Sequence, residues 1–192
     1  MKRFLFLVMA VVALASCSKD NEEPNIMDYD LTPIEFLFDI TNAAGESLID
    51  KDSPAYDSVF IANTYIKFQG KEYKMEEDAK VDVKPTTRAY YERFHGMMIH
   101  QYTIDRANNI TKSLARIGPF LSDYDWKTEE IEIHWGDNSE DKIVFTSVIT
   151  SRPKNQIPTF SRKFLFNGKD CTDTFFGTPY YMQVVKGAGK EK

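Results

Sequence analysis

The chain is poor in cysteine, histidine and clustered positive charge, and each shortage removes a class of function. Only Cys17 and Cys171 occur among 192 residues, too few for the disulfide framework that staples small exported domains. Cys171 lies in Lys169-Asp170-Cys171-Thr172 with no histidine beside it, so it reads as a buried, inert thiol rather than a nucleophile. The three histidines are followed by Gly96, Gln101 and Trp135, which excludes a His-Glu-x-x-His zinc motif. His95 and His100 are separated by an odd offset and point to opposite faces of one regular strand, unless a bulge at Gly96 realigns them. His134 shares a face with Glu132, an ordinary polar position. No Gly-x-Ser-x-Gly elbow is present. Neither a metal nor a cofactor is expected. Lys and Arg are scattered, which argues against nucleic acid and against an anionic membrane surface as partners.

Long apolar runs are also missing. Phe4–Ala15, preceded by Lys2 and Arg3, rises only about 18 Å as a helix against roughly 30 Å of bilayer hydrocarbon. A positive start, a short apolar stretch and small residues after it form a secretory signal, not a membrane span. The stretch ends in Leu14-Ala15-Ser16-Cys17, which resembles the lipobox of bacterial lipoproteins. That resemblance implies cleavage after residue 16 and lipid on Cys17. One acyl chain holds a protein marginally and two or more hold it stably. Ser18-Lys19-Asp20-Asn21-Glu22-Glu23-Pro24 is too polar to fold. It resembles the acidic export signal of Bacteroidetes surface lipoproteins, and a plain solvated linker explains the same residues. Residues 17–32 are accordingly expected to be an anchor and tether, reaching roughly 20 Å as a flexible coil. Loss of residues 1–16 removes Lys2 and Arg3, leaving 22 Lys and Arg against 29 Asp and Glu, a net charge of −7.

The remaining body is rich in aromatic and β-branched residues, which favours sheet. Ile34, Phe36, Phe38 and Ile40 alternate with Glu35 and Asp39, the pattern of a half-buried strand. A strand region is expected over residues 58–69. Gln69-Gly70-Lys71 then turns the chain, pairing residues 65–68 with 72–75. A short strand is expected at 80–83, and Gly96 suggests a bulge or a break within 88–105. Ile110–Phe120 is expected as strand, halted at Gly118-Pro119, with two helical turns as the alternative. Ile131, Ile133 and Trp135 alternate with Glu130, Glu132 and His134, residues 136–141 supply a polar turn, and Ile143, Phe145, Ser147 and Ile149 resume the alternation. Phe160, Arg162, Phe164 and Phe166 recur at period two before Asn167-Gly168, the strongest short hairpin signal. Tyr180 to Lys186 completes the sheet, and the residues after it are expected to fray.

Short strands with turns every eight to twelve residues indicate an all-β fold, an antiparallel immunoglobulin-like β-sandwich. The likeness is by analogy, since no Cys, Trp, Cys framework exists. One domain over residues 33–187 with a frayed tail at 188–192 is the economical division. Two stacked sandwiches, cut near residues 118–126, are the alternative.

Carboxylates crowd two loops, Asp50, Asp52 and Asp57 in one and Asp137, Asn138, Glu140 and Asp141 in the other. Counting from Asp50, positions six and twelve are Ala55 and Ile61, where an EF-hand needs glycine and glutamate. Polar turns account for both loops. Aromatics are the most suggestive feature. Tyr124 and Trp126 sit beside Asp123 and Asp125, and Phe175, Phe176 and Tyr180 form a second cluster; rings beside carboxylates suit a sugar or peptide platform, and they equally suit capping of the sandwich ends. The anchor, the acidic tether and the run Ile131-Glu132-Ile133-His134-Trp135-Gly136-Asp137 together resemble uncharacterised β-sandwich lipoproteins of Bacteroidetes. The resemblance implies an outer-membrane, surface-displayed lipoprotein and transfers no catalytic residue. The expected role is noncatalytic binding of a glycan, peptide or protein, as an accessory of nutrient capture. A structural or adhesive subunit is the alternative, and a hydrolase stands third.

Overall fold

The computed structural model describes residues 33–76, 96–120, 124–151, 158–173 and 181–189. Cys17, the tether, His95, the strand expected at 80–83 and the cluster Phe175, Phe176 and Tyr180 lie outside them. The described residues form ten strands and one short helix: β1 (Ile34–Thr41), α1 (Ser58–Asn63), β2 (Tyr65–Phe68), β3 (Lys71–Lys74), β4 (Met97–Asp105), β5 (Ile110–Phe120), β6 (Trp126–His134), β7 (Glu140–Ser151), β8 (Thr159–Phe166), β9 (Lys169–Asp170) and β10 (Tyr181–Val185). They build one sheet in the order β10-β1-β5-β4 and another in the order β3-β2-β6-β7-β8-β9. No helix among the described residues is long and apolar enough to cross a membrane.

The two sheets pack face to face through the residues that alternate inward. Phe36 of β1 touches Phe145 of β7 at 5.3 Å and Phe164 of β8 at 5.5 Å between ring centroids. Ile40, Met97, Ile117, Ile131, Ile133 and Ile143 complete the same buried cluster. Phe36 precedes residues 118–126 and its partners follow them, so this ring cluster joins the two sheets across that stretch. Such tilted and edge-on ring pairs contribute about 0.5–1.5 kcal/mol each beyond the area they bury.

The expected β6–β7 hairpin forms, with Ile131 opposite Ile143; the ladder runs on to Ile133 opposite Asp141 and His134 opposite Glu140, inside the stretch expected as turn. Asn167 and Gly168 close β8 onto β9. β5 forms as a strand but does not stop at Gly118-Pro119. It continues to Phe120 because a bulge absorbs both residues: Ile34 pairs with Phe120 and Phe36 with Ile117, leaving Gly118 and Pro119 opposite Glu35. Gly96 takes φ +87° immediately before β4 begins, and the part of the expected stretch before it, residues 88–95, lies outside the described residues.

Four further expectations need correction. The sandwich is not wholly antiparallel, since β1 and β10 run parallel, with Leu37 opposite Tyr181 and Thr41 opposite Val185. First and last strands meet through no hairpin, so no turn signal announces their direction. Residues 58–63 are helical rather than extended. Asp57 caps α1 by accepting from the Phe60 N–H at 2.8 Å, and Phe60 is buried in a stack against Trp135, so capping and tertiary packing override the strand preference of Val59-Phe60-Ile61. β1 is covered on both faces, with Leu37, Asp39 and Thr41 of the outward face buried.

The C-terminal residues through Gly189 are tied, not frayed. Lys186 N–H donates to the Thr41 carbonyl at 2.8 Å, Gly187 N–H to Asp137 Oδ2 at 2.7 Å and Gly189 N–H to Asp57 Oδ2 at 2.8 Å. Burial opposes ionisation of Asp57, yet the N–H groups of Phe60, Gly189 and Val59 together hold its carboxyl below the ordinary value. Burial likewise opposes ionisation of Asp137, but Ser139, Gly187 and the charge of Lys186 lower it. Both acids ionise more readily folded than unfolded, so their contribution is complete above the ordinary value of 3.8 and is lost as pH falls below it, through the lowered values. Hydrogen exchange should show the Gly187 and Gly189 amides protected at neutral pH and released in that acid window, ahead of the amides of β7. Protection that persists unchanged well below the window would contradict this tie.

Candidate functional site

The inner face of the larger sheet changes character toward one end. Successive rows across β7 and β8 pair Ile143 with Phe166, Phe145 with Phe164 and then Ser147 with Arg162. Trp126 of β6 stands opposite Ser147 on the other side. Trp126, Ser147 and Arg162 therefore form one row across three neighbouring strands, each about 4.8 Å from the next. The signal for Arg162 in the sequence is a charge at a period-two position inside a run of phenylalanines.

Local geometry fixes each member of the row. Between the pairs Trp126–Ser147 and Glu129–Phe145, β6 spends three steps against two on β7. This bulge, with Thr146 Oγ1 donating to the Lys127 carbonyl at 2.9 Å, bends the strand entry and re-aims Trp126. Its ring closes over Phe120 at 5.4 Å, Phe145 at 5.8 Å and Phe68 at 6.5 Å. Asp125 pins the entry by accepting from the Ile149 N–H at 2.8 Å. Arg162 Nε donates to Ser147 Oγ at 3.2 Å, and the guanidinium carbon lies 4.4 Å from the centre of the Phe160 ring. Burial pulls this guanidinium below its ordinary value, and it stays charged at any physiological pH.

Tyr124 completes the end. Its ring meets Trp126 edge-on at 4.7 Å, and the residue is 57% exposed. The two aromatics expected to act together thus divide the work: Trp126 closes the core and Tyr124 offers a ring to solvent. The row supplies stacking surface, one cation and one hydroxyl. Ser147 is fully buried and accepts from Arg162, so it is not set up as a nucleophile.

The opposite end is polar too, but its groups are committed to one another. Asp141 Oδ2 accepts from Trp135 Nε1 and from Lys186 Nζ, each at 2.6 Å, while Asn167 Nδ2 donates to Oδ1 at 2.7 Å. Lys186 also sits 4.9 Å over the Trp135 ring. Of the loop carboxylates, Asp50 caps Asp52 N–H, Asp57 caps α1 and Asp137 receives Ser139 and Gly187. Among the described residues no three His, Cys, Asp or Glu side chains gather as metal ligands do.

The remaining chemically capable groups are separate. His134 stacks on Tyr65 at 4.5 Å on the outward face, with Glu140 at 2.9 Å and Glu132 at 3.6 Å. Cys171 is buried with Sγ donating to the Phe164 carbonyl at 3.4 Å. Burial and the neighbouring Asp170 push its thiol up to about 11, which leaves it protonated and unreactive at neutral pH. Comparison of the chain with protein families, with curated proteins and with solved structures finds no match.

Proposed function

We propose that the protein is a noncatalytic binding module, lipid-anchored through Cys17 and displayed from the outer membrane on its acidic tether, whose glycan or peptide ligand rests on the end formed by Tyr124, Trp126 and Arg162. The observation that carries this reading is the Tyr124 ring, exposed to solvent yet braced against an indole that is itself packed on three core phenylalanines. A braced ring loses little freedom on binding, which is why rigid aromatics dominate recognition surfaces. The half-buried guanidinium two strands away adds a directional donor for an acidic or hydroxyl group.

Tyr124→Ala separates binding from stability, because Trp126 and not Tyr124 closes the core. On a glycan and peptide array probed with the complete mature chain, the variant should lose about tenfold in affinity, the equivalent of roughly 1.4 kcal/mol. Its thermal midpoint should stay unchanged. Equal binding by variant and parent, or no binding by either, sinks the reading.

A further inference from the structure

The outward face of the smaller sheet is built unlike that of the larger one. On the larger sheet Lys142 Nζ meets Glu130 Oε1 at 2.7 Å with both side chains exposed, an ordinary solvated pair worth little. On the smaller sheet Lys112 Nζ meets Asp39 Oδ2 where the Asp39 side chain is only 4% exposed and that of Lys112 36%. Desolvating such a pair usually costs more than its attraction returns, so a sheet face that needed only solubility would not bury it. Lys112 also lies 5.4 Å from the centre of the Tyr181 ring.

Thr41, next along β1 on the same face, is 2% exposed, and its Oγ1 has no hydrogen-bond partner. Its carbonyl is satisfied by Lys186 N–H, so the strand ladder does not account for the hydroxyl. A buried polar group left unpaired is destabilising and calls for an explanation such as a missing ligand or water. The rows Tyr181–Leu37, Gln183–Asp39 and Val185–Thr41 place these groups side by side, and Val185, directly beside Thr41, is exposed. The patch therefore reaches solvent along β10.

We infer that the outward face of β10, β1 and β5 is a second binding site, for a neutral, hydroxyl-rich ligand of the sugar class. Asp39 accepts from ligand hydroxyls, Lys112 donates to ligand oxygens, Thr41 does both and the Tyr181 ring forms a wall. The site is electroneutral because Lys112 and Asp39 cancel. An anionic ligand meets the Asp39 carboxylate, and a divalent cation meets the Lys112 ammonium with a single carboxylate to hold it. The long, partly exposed Lys112 side chain is the element that moves to admit the ligand. The hydrogen bond from Lys112 to Asp39, assisted by Tyr181, holds the ammonium above its ordinary value despite burial, so it stays charged throughout the physiological range.

The test titrates the complete mature chain with the methyl glycosides of glucose, galactose and mannose and follows the backbone amide resonances of residues 39–41 and 183–185. Saturable shifts are expected for at least one sugar. Thr41→Val keeps the side-chain volume and removes an unpaired hydroxyl, so it should fold at least as stably as the parent while weakening the sugar about tenfold. Thr41→Ser should restore the affinity. Tyr124→Ala should leave these shifts in place, so the two binding readings fail independently. Absence of saturable shifts with all three glycosides overturns the inference and leaves an ordered water as the partner of Thr41. Undiminished binding by Thr41→Val overturns it as well.

Discussion

Replacing Lys186 with methionine is expected to cost about 3 kcal/mol of stability, the low end of the range for stranding one charge of a buried pair. Lys186 and Asp141 have side chains 9% and 10% exposed, so removal of the ammonium leaves a carboxylate that water cannot reach well. Trp135 Nε1 and Asn167 Nδ2 still donate to that carboxylate, but neither supplies a countercharge. Methionine keeps a long apolar side chain at a position whose ammonium sits over the Trp135 ring, so the measured loss belongs mainly to the charge. The same lysine opens the segment that follows β10, and among the described residues β10 pairs with β1 alone. Urea unfolding should therefore show a lower midpoint, and Gly187 and Gly189 amides should exchange faster even under native conditions. Asp141→Asn in the Lys186→Met background should recover part of the loss by removing the stranded charge while keeping a hydrogen-bonding group in place. A loss below about 1 kcal/mol for the single variant would class the pair with ordinary surface ion pairs.

The contrast between this end and the aromatic end shows what the sequence could and could not reveal. Period-two runs such as Ile131, Ile133 and Ile143, Phe145 were legible because each alternation has its partner one turn away, and Asn167-Gly168 marks its own hairpin. What escaped depends on residues far apart in the chain. The parallel β1–β10 pair joins residues more than 140 positions apart. The capture of the tail rests on Asp57 before α1 and on Asp137 and Asp141 of the β6–β7 connection, regions that each alone resemble a polar loop. Asp39 read as a solvated position because strand periodicity reports which face a residue occupies, not whether that face is covered. Val59-Phe60-Ile61 read as strand because β-branched and aromatic residues favour it locally, whereas the Asp57 cap and the Trp135 ring decide otherwise. Tyr124 and Trp126 were identifiable as a candidate site from composition. Their separation into one exposed ring and one core ring follows from the β6 bulge and from contacts to β2, β5 and β7 that no spacing encodes.

Gly136→Ala should be about as damaging as the loss of Lys186, and for a purely steric reason. A Cβ at Gly136 falls 2.2 Å from the Phe60 carbonyl oxygen, 2.5 Å from its Cα and 2.6 Å from its carbonyl carbon. All three are backbone atoms, so no side-chain rotation relieves the clash. Gly136 N–H donates to Thr64 Oγ1 at 3.0 Å and Thr64 Oγ1 donates to the Phe60 carbonyl at 2.8 Å, which locks the turn to the helix at this close approach. Admitting the methyl group requires α1 to shift, and Phe60, fully buried and stacked 6.2 Å from Trp135, must shift with it. Overpacking of this kind costs about 1–3 kcal/mol and more where backbone is involved. Taking about 3 kcal/mol, the thermal midpoint should fall by about 10 °C for a domain of this size, with an altered near-ultraviolet signal from Trp135. Gly189 presses on the same helix from the C-terminal segment, its Cβ position lying 2.4 Å from the Phe60 nitrogen. Gly189→Ala should nevertheless be milder, because the terminal segment can release its hydrogen bond to Asp57 and move aside while the β6–β7 turn cannot. Equal losses for the two variants would mean that the terminal segment is as firmly built into the sandwich as the turn, and would refute the order of rigidity argued from these contacts.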